Sequence, residues 1–108
     1  MVRQINVRDL AVKLAAREPV YFVDVRQPWE HEIAALPNSV VLPLDELMNR
    51  LGELQPADGA LVVVYCHHGI RSQLAAEFLS RQGFKRIRNL VGGIDAWSME
   101  VDPSTPRY

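Results

Sequence analysis

Cysteine is nearly absent from this sequence, since its 108 residues include only Cys66. One cysteine excludes an internal disulfide, so the fold has to depend on its apolar core. Positive charge is not in excess either, because 12 Lys and Arg residues stand against 13 Asp and Glu residues, for a net charge of −1. The sequence therefore lacks the basic character of nucleic-acid-binding proteins.

Long apolar runs are missing as well. No stretch approaches the roughly 20 apolar residues of a membrane-spanning helix. Residues 1–6 also lack the apolar core of a signal peptide. We therefore expect a cytoplasmic protein that binds neither membranes nor nucleic acids.

The composition is that of a soluble globular protein, with 48% hydrophobic and 23% charged residues. A chain of this length suits one domain. We predict a single domain over residues 1–108, with its core at about residues 5–99. Residues 100–108 include Pro103 and Pro106 and are predicted to form a loose C-terminal tail.

Short apolar runs alternate with segments of helical periodicity along the chain. Strands are predicted over residues 5–7, 20–25, 40–42, 60–65 and 87–91. Helices are predicted over residues 7–15, 44–54, 72–82 and 94–99, with one short helical turn near residues 28–32. This alternation predicts an α/β fold with a parallel sheet of about five strands and helices on both faces.

Cys66 lies where a β-branched run ends and a helical pattern begins. Ligands of parallel α/β sheets bind beyond the carboxyl ends of strands, where the free N–H groups of the next helix also point. These amides and the nearby Arg71 favour thiolate over thiol, and Gly69 allows the loop to curve around an anion. We predict a nucleophilic cysteine; the alternative is a buried, inert one.

Asp24 and Arg26 flank the end of the second predicted strand and lie on one side of it. An acid in so apolar a run needs a partner, because an unpaired buried charge is unfavourable. We predict that this pair is a structural hydrogen-bond anchor at the end of the sheet and that it does not react directly.

Three histidines raise the question of a metal site. His67 and His68 follow Cys66, and His31 could add a further ligand. Adjacent residues rarely point at one ion, however, and no zinc-type spacing is present. We predict neither a metal nor another cofactor, and we expect His67 and His68 to line the pocket mouth, partly charged near neutral pH.

Four stretches, taken together and in order, resemble the rhodanese-like (sulfurtransferase) domain family. They are residues 24–26, 32–39, 66–72 and 92–97, which read DVR, EIAALPNS, CHHGIRS and GGIDAW. The family's usual His-Ile-Pro-Gly-Ala is replaced here by residues 35–39, so the histidine is lost and Asn38 stands for glycine. Asparagine tolerates the same turn, and the segment lies outside the Cys66 loop, so we expect little effect on the chemistry.

The resemblance implies a single-domain rhodanese-like fold and sulfur transfer. Cys66 would take a sulfane sulfur from thiosulfate or a persulfide and carry it as a persulfide. Cyanide or a thiol would then accept the sulfur. The implied binding loop supplies backbone amides around the outer sulfur and consists of His67, His68, Gly69, Ile70, Arg71 and Ser72.

The residues leave several points open. Arg71 could point inward at the anion or outward to an acid at the base of the loop. With no second cysteine, the acceptor must come from outside: cyanide, a small thiol or a sulfur-relay protein. We expect a monomer or a weak dimer. Because the loop carries little fixed positive charge, we also expect thiosulfate, a dianion, to be a poorer donor than a persulfide.

Two other functions remain as alternatives. Phosphatases and arsenate reductases also close a cysteine loop with arginine, but their spacing resembles Cys-x5-Arg, whereas Cys66 and Arg71 give Cys-x4-Arg. The shorter loop makes a tighter ring of amides that suits one sulfur better than a phosphate. The other alternative is a non-catalytic or sulfur-relay module that docks on a partner protein.

Overall fold

Strands and helices alternate along the chain in the computed structural model, which describes residues 2–108. The strands are β1 (Arg3–Ile5), β2 (Val20–Asp24), β3 (Val40–Val41), β4 (Leu61–Tyr65) and β5 (Ile87–Leu90). The α-helices are α1 (Val7–Ala15), α2 (Pro28–Ile33), α3 (Ile70–Arg81) and α4 (Gly93–Glu100). All strand pairs are parallel, and the sheet order is β1-β5-β4-β2-β3. The predicted α/β fold with a five-stranded parallel sheet is therefore confirmed.

The central strand β4 is buried along its whole length, as expected for a parallel strand covered on both faces. Its side chains alternate between two apolar clusters. Val62, Val64 and Cys66 pack with Ala75 and Leu79 of α3. On the other face Leu61, Val63 and Tyr65 pack with Leu10 of α1 and with Ile94 and Trp97 of α4. The two faces hold Cys66 rigidly at the carboxyl edge of the sheet.

Local signals are confirmed at two helix ends and at one turn. The Asn6 side chain accepts a hydrogen bond from the Asp9 amide at 2.8 Å and caps α1. Gly83 follows the end of α3 with φ of +96°. Asn38 has φ of +58°, the left-handed conformation that its turn requires.

The predicted helix over residues 44–54 is wrong. Two 3₁₀ turns, Leu44–Glu46 and Leu51–Glu53, occupy this segment. Leu47 and Leu54 are buried against the sheet, but Met48 is 76% exposed, so the predicted apolar stripe is not continuous. Each short turn places one buried leucine directly after it, Leu47 or Leu54, and tertiary packing outweighs the weak helical periodicity.

The predicted loose tail is also wrong. Asp102 accepts hydrogen bonds from Ser104 and Thr105, and Ser98 Oγ donates to the Thr105 carbonyl at 2.9 Å. The last residue, Tyr108, donates its hydroxyl to Glu30 at 2.7 Å. Side-chain hydrogen bonds therefore hold a segment of turns that has no helix or strand of its own.

Within residues 2–108, no helix combines the length and the apolar character needed to cross a bilayer.

Candidate active site

Polar hydrogens converge on the sulfur of Cys66, which is 1% exposed at the end of β4. The amides of Gly69 and Ser72 donate to Sγ at 3.1 and 3.4 Å, and Ser72 Oγ lies 3.3 Å away. Gly69 caps α3 with φ of +102°, a conformation that turns its amide inward. The loop thus forms a small cradle that stabilises negative charge on sulfur.

Helix α4, which follows the neighbouring strand β5, holds this loop in place. The amides of Ile94 and Asp95 donate to the carbonyls of Cys66 and His67 at 3.0 and 3.1 Å. Gly93, with φ of +61°, lies so close that a Cβ there would clash with both carbonyl oxygens. The Gly92-Gly93 stretch therefore allows α4 to approach the loop backbone, a role that the sequence did not reveal.

Arg71 points outward to an acid, which resolves the orientation that the sequence left open. Its Nη1 and Nη2 lie 2.7 and 2.9 Å from the two carboxylate oxygens of Glu30 on α2. Glu30 is 4% exposed and also accepts hydrogen bonds from the Gln27 amide and Tyr108 Oη. The hydrogen bonds from Arg71 lower the pKa of Glu30 to about 2, against burial. The positive charge of Arg71 is therefore neutralised beside the cradle.

Sequence reasoning missed Glu30 and Tyr108 as members of this site. A signal for Glu30 was present, because it follows Pro28 at the start of a helix and completes a capping box with Gln27. That pattern explains the helix but not the contact with Arg71. Nothing local indicated Tyr108, whose partners lie far from it in the sequence.

Asp24 and Arg26 form a fully buried ion pair with Nη2–Oδ2 at 2.6 Å and Nε–Oδ1 at 2.8 Å. Arg26 also donates to the Ala34 carbonyl at 2.6 Å and to Tyr108 Oη at 2.9 Å. The pair ties β2 to the segment after α2 and to the tail. This geometry agrees with the predicted structural anchor. That the pair does not react directly stays a prediction.

The three histidines do not form one group, because His31 has a different partner from His67 and His68. His31 Nδ1 lies 2.9 Å from Asp24 Oδ2, away from the loop histidines. The ring of His67 stacks between Tyr108 and His68, with centroids 4.0 and 3.9 Å apart. Burial, followed by the charge of His68, lowers the pKa of His67 below its usual value and so disfavours the charged form of this ring.

The residue that lies beside the loop histidines is Asp95 and not His31. The ligand atoms of His67, His68 and Asp95 lie within 4.8 Å of one another. The two imidazole rings are stacked with an interplanar angle of 26°, so their nitrogen lone pairs lie in nearly parallel planes whose ring centroids are 3.9 Å apart. Asp95 is also paired with Arg107 at 2.9 Å. This grouping does not offer the tetrahedral ligand arrangement of a zinc site.

Three large apolar side chains are exposed to solvent on α2 and α3, the helix that begins at the cradle. Ile70 is 76% exposed and Leu74 59% exposed, one turn apart at the start of α3. Trp29 on α2 is 58% exposed and packs edge-on against Tyr108. The Glu30–Arg71 pair joins these two helices. We call Trp29, Ile70 and Leu74 the apolar rim.

Comparisons with known proteins agree with the resemblance of the motifs. The family model of the rhodanese-like domain matches residues 7–100. A protein named sulfurtransferase from Allochromatium vinosum is 40% identical over 98 residues, which cover 91% of this chain and 90% of that protein. The rhodanese-like/PpiC domain-containing protein 12 of Arabidopsis thaliana is 39% identical over 116 residues; the match covers 99% of this chain but only 38% of that longer protein.

A solved structure supports the same assignment. The rhodanese-like domain protein from Staphylococcus aureus superposes with a TM-score of 0.81 at 27% identity, and the match covers 99% of each chain. The family model and these relatives support sulfur transfer as the general activity. The chain belongs to the rhodanese-like domain family.

Proposed function

We propose that this protein is a sulfurtransferase that carries a sulfane sulfur on Cys66 as a persulfide. The observation that carries the proposal is the convergence of the Gly69 and Ser72 amides on Sγ. The Cys66 thiolate attacks the outer sulfur of the donor, a new S–S bond forms, and the donor's S–S bond breaks. Thiosulfate releases sulfite, and a persulfide releases its thiolate. Cyanide or a thiolate then attacks the outer sulfur, and Cys66 leaves as thiolate.

The charge balance of the site supports sulfur over phosphate as the bound group. A phosphate dianion needs a compensating cation, but Arg71 is already paired with Glu30. A persulfide carries one negative charge, which two or three backbone N–H groups can stabilise. The phosphatase and arsenate reductase alternatives are therefore less favourable, and hydrolysis of a generic aryl phosphate should be absent.

The same balance favours a persulfide donor over thiosulfate. The pKa of His67 is lowered by burial, which disfavours its charged form, and the guanidinium of Arg71 faces a carboxylate, so little net positive charge meets a dianion. We expect a higher kcat/KM for glutathione persulfide than for thiosulfate. A clear preference for thiosulfate would contradict this part of the proposal.

Intact-mass measurement tests the carrier role directly. The protein is exposed briefly to thiosulfate or glutathione persulfide, and Cys66→Ser is treated in parallel. We expect a gain of one sulfur that Cys66→Ser lacks and that cyanide discharges as thiocyanate. No gain with either donor would overturn the proposal.

The apolar rim favours a second candidate, in which the sulfur passes to or from another protein. Three large apolar side chains beside the cradle, each more than half exposed, suit a protein surface better than a small thiol. In this case Cys66→Ser should still bind the partner, whereas Ile70→Ser combined with Leu74→Ser should not. Equal binding by both variants would contradict a relay through the rim.

A further inference from the structure

A buried polar chain lies behind the sulfur, on the side away from the solvent. Ser72 Oγ is 3.3 Å from Cys66 Sγ and 2.5 Å from Asn89 Oδ1. Ser72 is fully buried, and Asn89 on β5 is 4% exposed. None of the four stretches that carry the family resemblance includes Asn89, and the mechanism above does not use it.

The orientation of the Asn89 amide follows from its other contacts. Its Nδ2 lies 3.2 Å from the Gly69 carbonyl and 2.8 Å from Gln4 Oε1. A backbone carbonyl can only accept, so the nitrogen must face Gly69. The Asn89 oxygen therefore faces Ser72 and accepts the hydroxyl proton.

This arrangement decides what Ser72 can offer to the sulfur. A hydroxyl has one proton, and that of Ser72 is donated to Asn89. Ser72 Oγ can accept a hydrogen bond from the Cys66 thiol but cannot donate one to the thiolate. The Ser72 hydroxyl thus favours the thiol, whereas the backbone amides of Gly69 and Ser72 favour the thiolate.

We propose that Asn89 is a positioning residue that directs the Ser72 hydroxyl away from Cys66 and so sets the pH range over which the sulfur is nucleophilic. A thiolate with fewer hydrogen bonds is a stronger nucleophile towards the donor. In the persulfide the negative charge lies on the outer sulfur, and the inner one needs no donor from Ser72. The benefit for sulfur transfer rests on the proposed function. The effect of Asn89 on the ionisation of Cys66 does not, since that ionisation can be measured without sulfur transfer.

Other charges around the sulfur stay constant in the test. The titratable groups on the elements packed around it include the Arg71–Glu30 pair, the Arg26–Asp24 pair, His67, His68, Asp95 and Tyr108. The same elements also carry Tyr65 on β4, Glu77 and Arg81 on α3 and Arg88 on β5. The variants below leave all of them in place. A change in the pH profile therefore reports on the Asn89–Ser72 contact.

The test follows the rate of Cys66 alkylation by iodoacetamide as a function of pH. Asn89→Leu has a similar volume but no acceptor, so the Ser72 hydroxyl turns to the thiolate, and the midpoint should fall by about one pH unit. The Gly69 carbonyl keeps the Gln73 amide as a donor in this variant. Asn89→Asp keeps an acceptor and adds negative charge, so its midpoint should rise. If Asn89→Leu does not fold, as judged by circular dichroism, Asn89→Ala takes its place.

A double-variant cycle separates this role from a structural one. In a Ser72→Ala background, Asn89→Leu should no longer move the midpoint, because the hydroxyl is absent. Gln4→Ala removes the outer contact of Asn89 and should leave the midpoint unchanged. A shift that persists without Ser72, or no shift in Asn89→Leu, would overturn the inference. Failure of the proposed function would appear separately, as absence of sulfur loading in wild-type protein.

Discussion

Two openings lie at opposite ends of the same sheet, and they differ in what faces them. At the amino ends of the strands, a cavity of about 570 Å³ is lined by residues 54–60, by Val62 and by residues 82–86. Its polar side chains, such as Asp58 and Lys85, are exposed to solvent. At the carboxyl ends, buried amides converge on Cys66. A one-sulfur ligand needs converging donors more than it needs volume, so the carboxyl end of the sheet is the candidate site.

The largest expected effect comes from Gly93→Ala, tested against Gly59→Ala. Both glycines have positive φ, but a Cβ at Gly93 would clash with the loop carbonyls, whereas one at Gly59 meets nothing within 4 Å. We expect Gly93→Ala to abolish sulfur loading and to lower the free energy of unfolding by about 3 kcal/mol. Gly59→Ala, in the amino-end cavity, should cost about 1 kcal/mol and load normally. Equal loading by the two variants, measured by intact mass, would contradict the assigned role of α4.

Glu30→Gln should change the choice of donor. It removes the carboxylate that holds Arg71, so the guanidinium becomes free to face a dianion at the cradle. We expect kcat/KM for thiosulfate to rise several-fold relative to glutathione persulfide, and stability to fall by about 1–3 kcal/mol. Glu32→Gln, an exposed neighbour on the same helix, is the control and should change neither quantity. An unchanged donor ratio in Glu30→Gln would show that Arg71 does not influence the donor.

The pH dependence of stability should show the same ion pair. The pKa of Glu30 falls from 4.5 to about 2 on folding, chiefly through the Arg71 hydrogen bonds. A lowered pKa contributes stability that is complete above the unfolded value and is lost as pH falls through the folded value. The Tm difference between wild type and Glu30→Gln should therefore be constant above pH 5 and shrink between about pH 4.5 and pH 2. A difference that grows on acidification would be inconsistent with this pair.

Tyr108 allows a smaller test of the tail. Tyr108→Phe loses the hydroxyl contacts with Glu30 and Arg26 but keeps the ring on His67, and it should cost about 1 kcal/mol. Tyr108→Ala also uncovers His67. Since burial is the main cause of its lowered pKa, the pKa of His67 should rise towards 6.5 in Tyr108→Ala but not in Tyr108→Phe. NMR titration of the ring protons would check this.

The smallest effect is expected at the other opening. Lys85→Gln changes an exposed charge in the amino-end cavity and should alter stability by less than about 0.5 kcal/mol. Sulfur loading and donor preference should equal those of wild type. A loss of loading in this variant would mean that the cavity takes part in the reaction, and the contrast between the two openings would fail.

Periodicity predicted most of the fold because it reflects local burial. The apolar runs at residues 20–25 and 60–65 became β2 and β4, and Asn6 and Gly83 bounded their helices as predicted. The segment around Met48 could not be assigned, because a stripe of leucines three or four residues apart fits an α-helix and successive 3₁₀ turns equally well. The tail was misjudged because its contacts are made by side chains and not by a repeating backbone pattern.

The sequence by itself determined that Cys66 ends a buried strand, that Gly69 lets the loop turn and that a helix begins just beyond. These features depend on residues within a few positions of one another. Tertiary structure alone decided that Arg71 faces Glu30, 41 residues away, that Tyr108 bonds Glu30 across 78 residues, and that Asn89 orients Ser72. Such pairs form because parallel crossovers bring the ends of distant strands and helices to one edge of the sheet. A linear pattern carries no information on which of them meet.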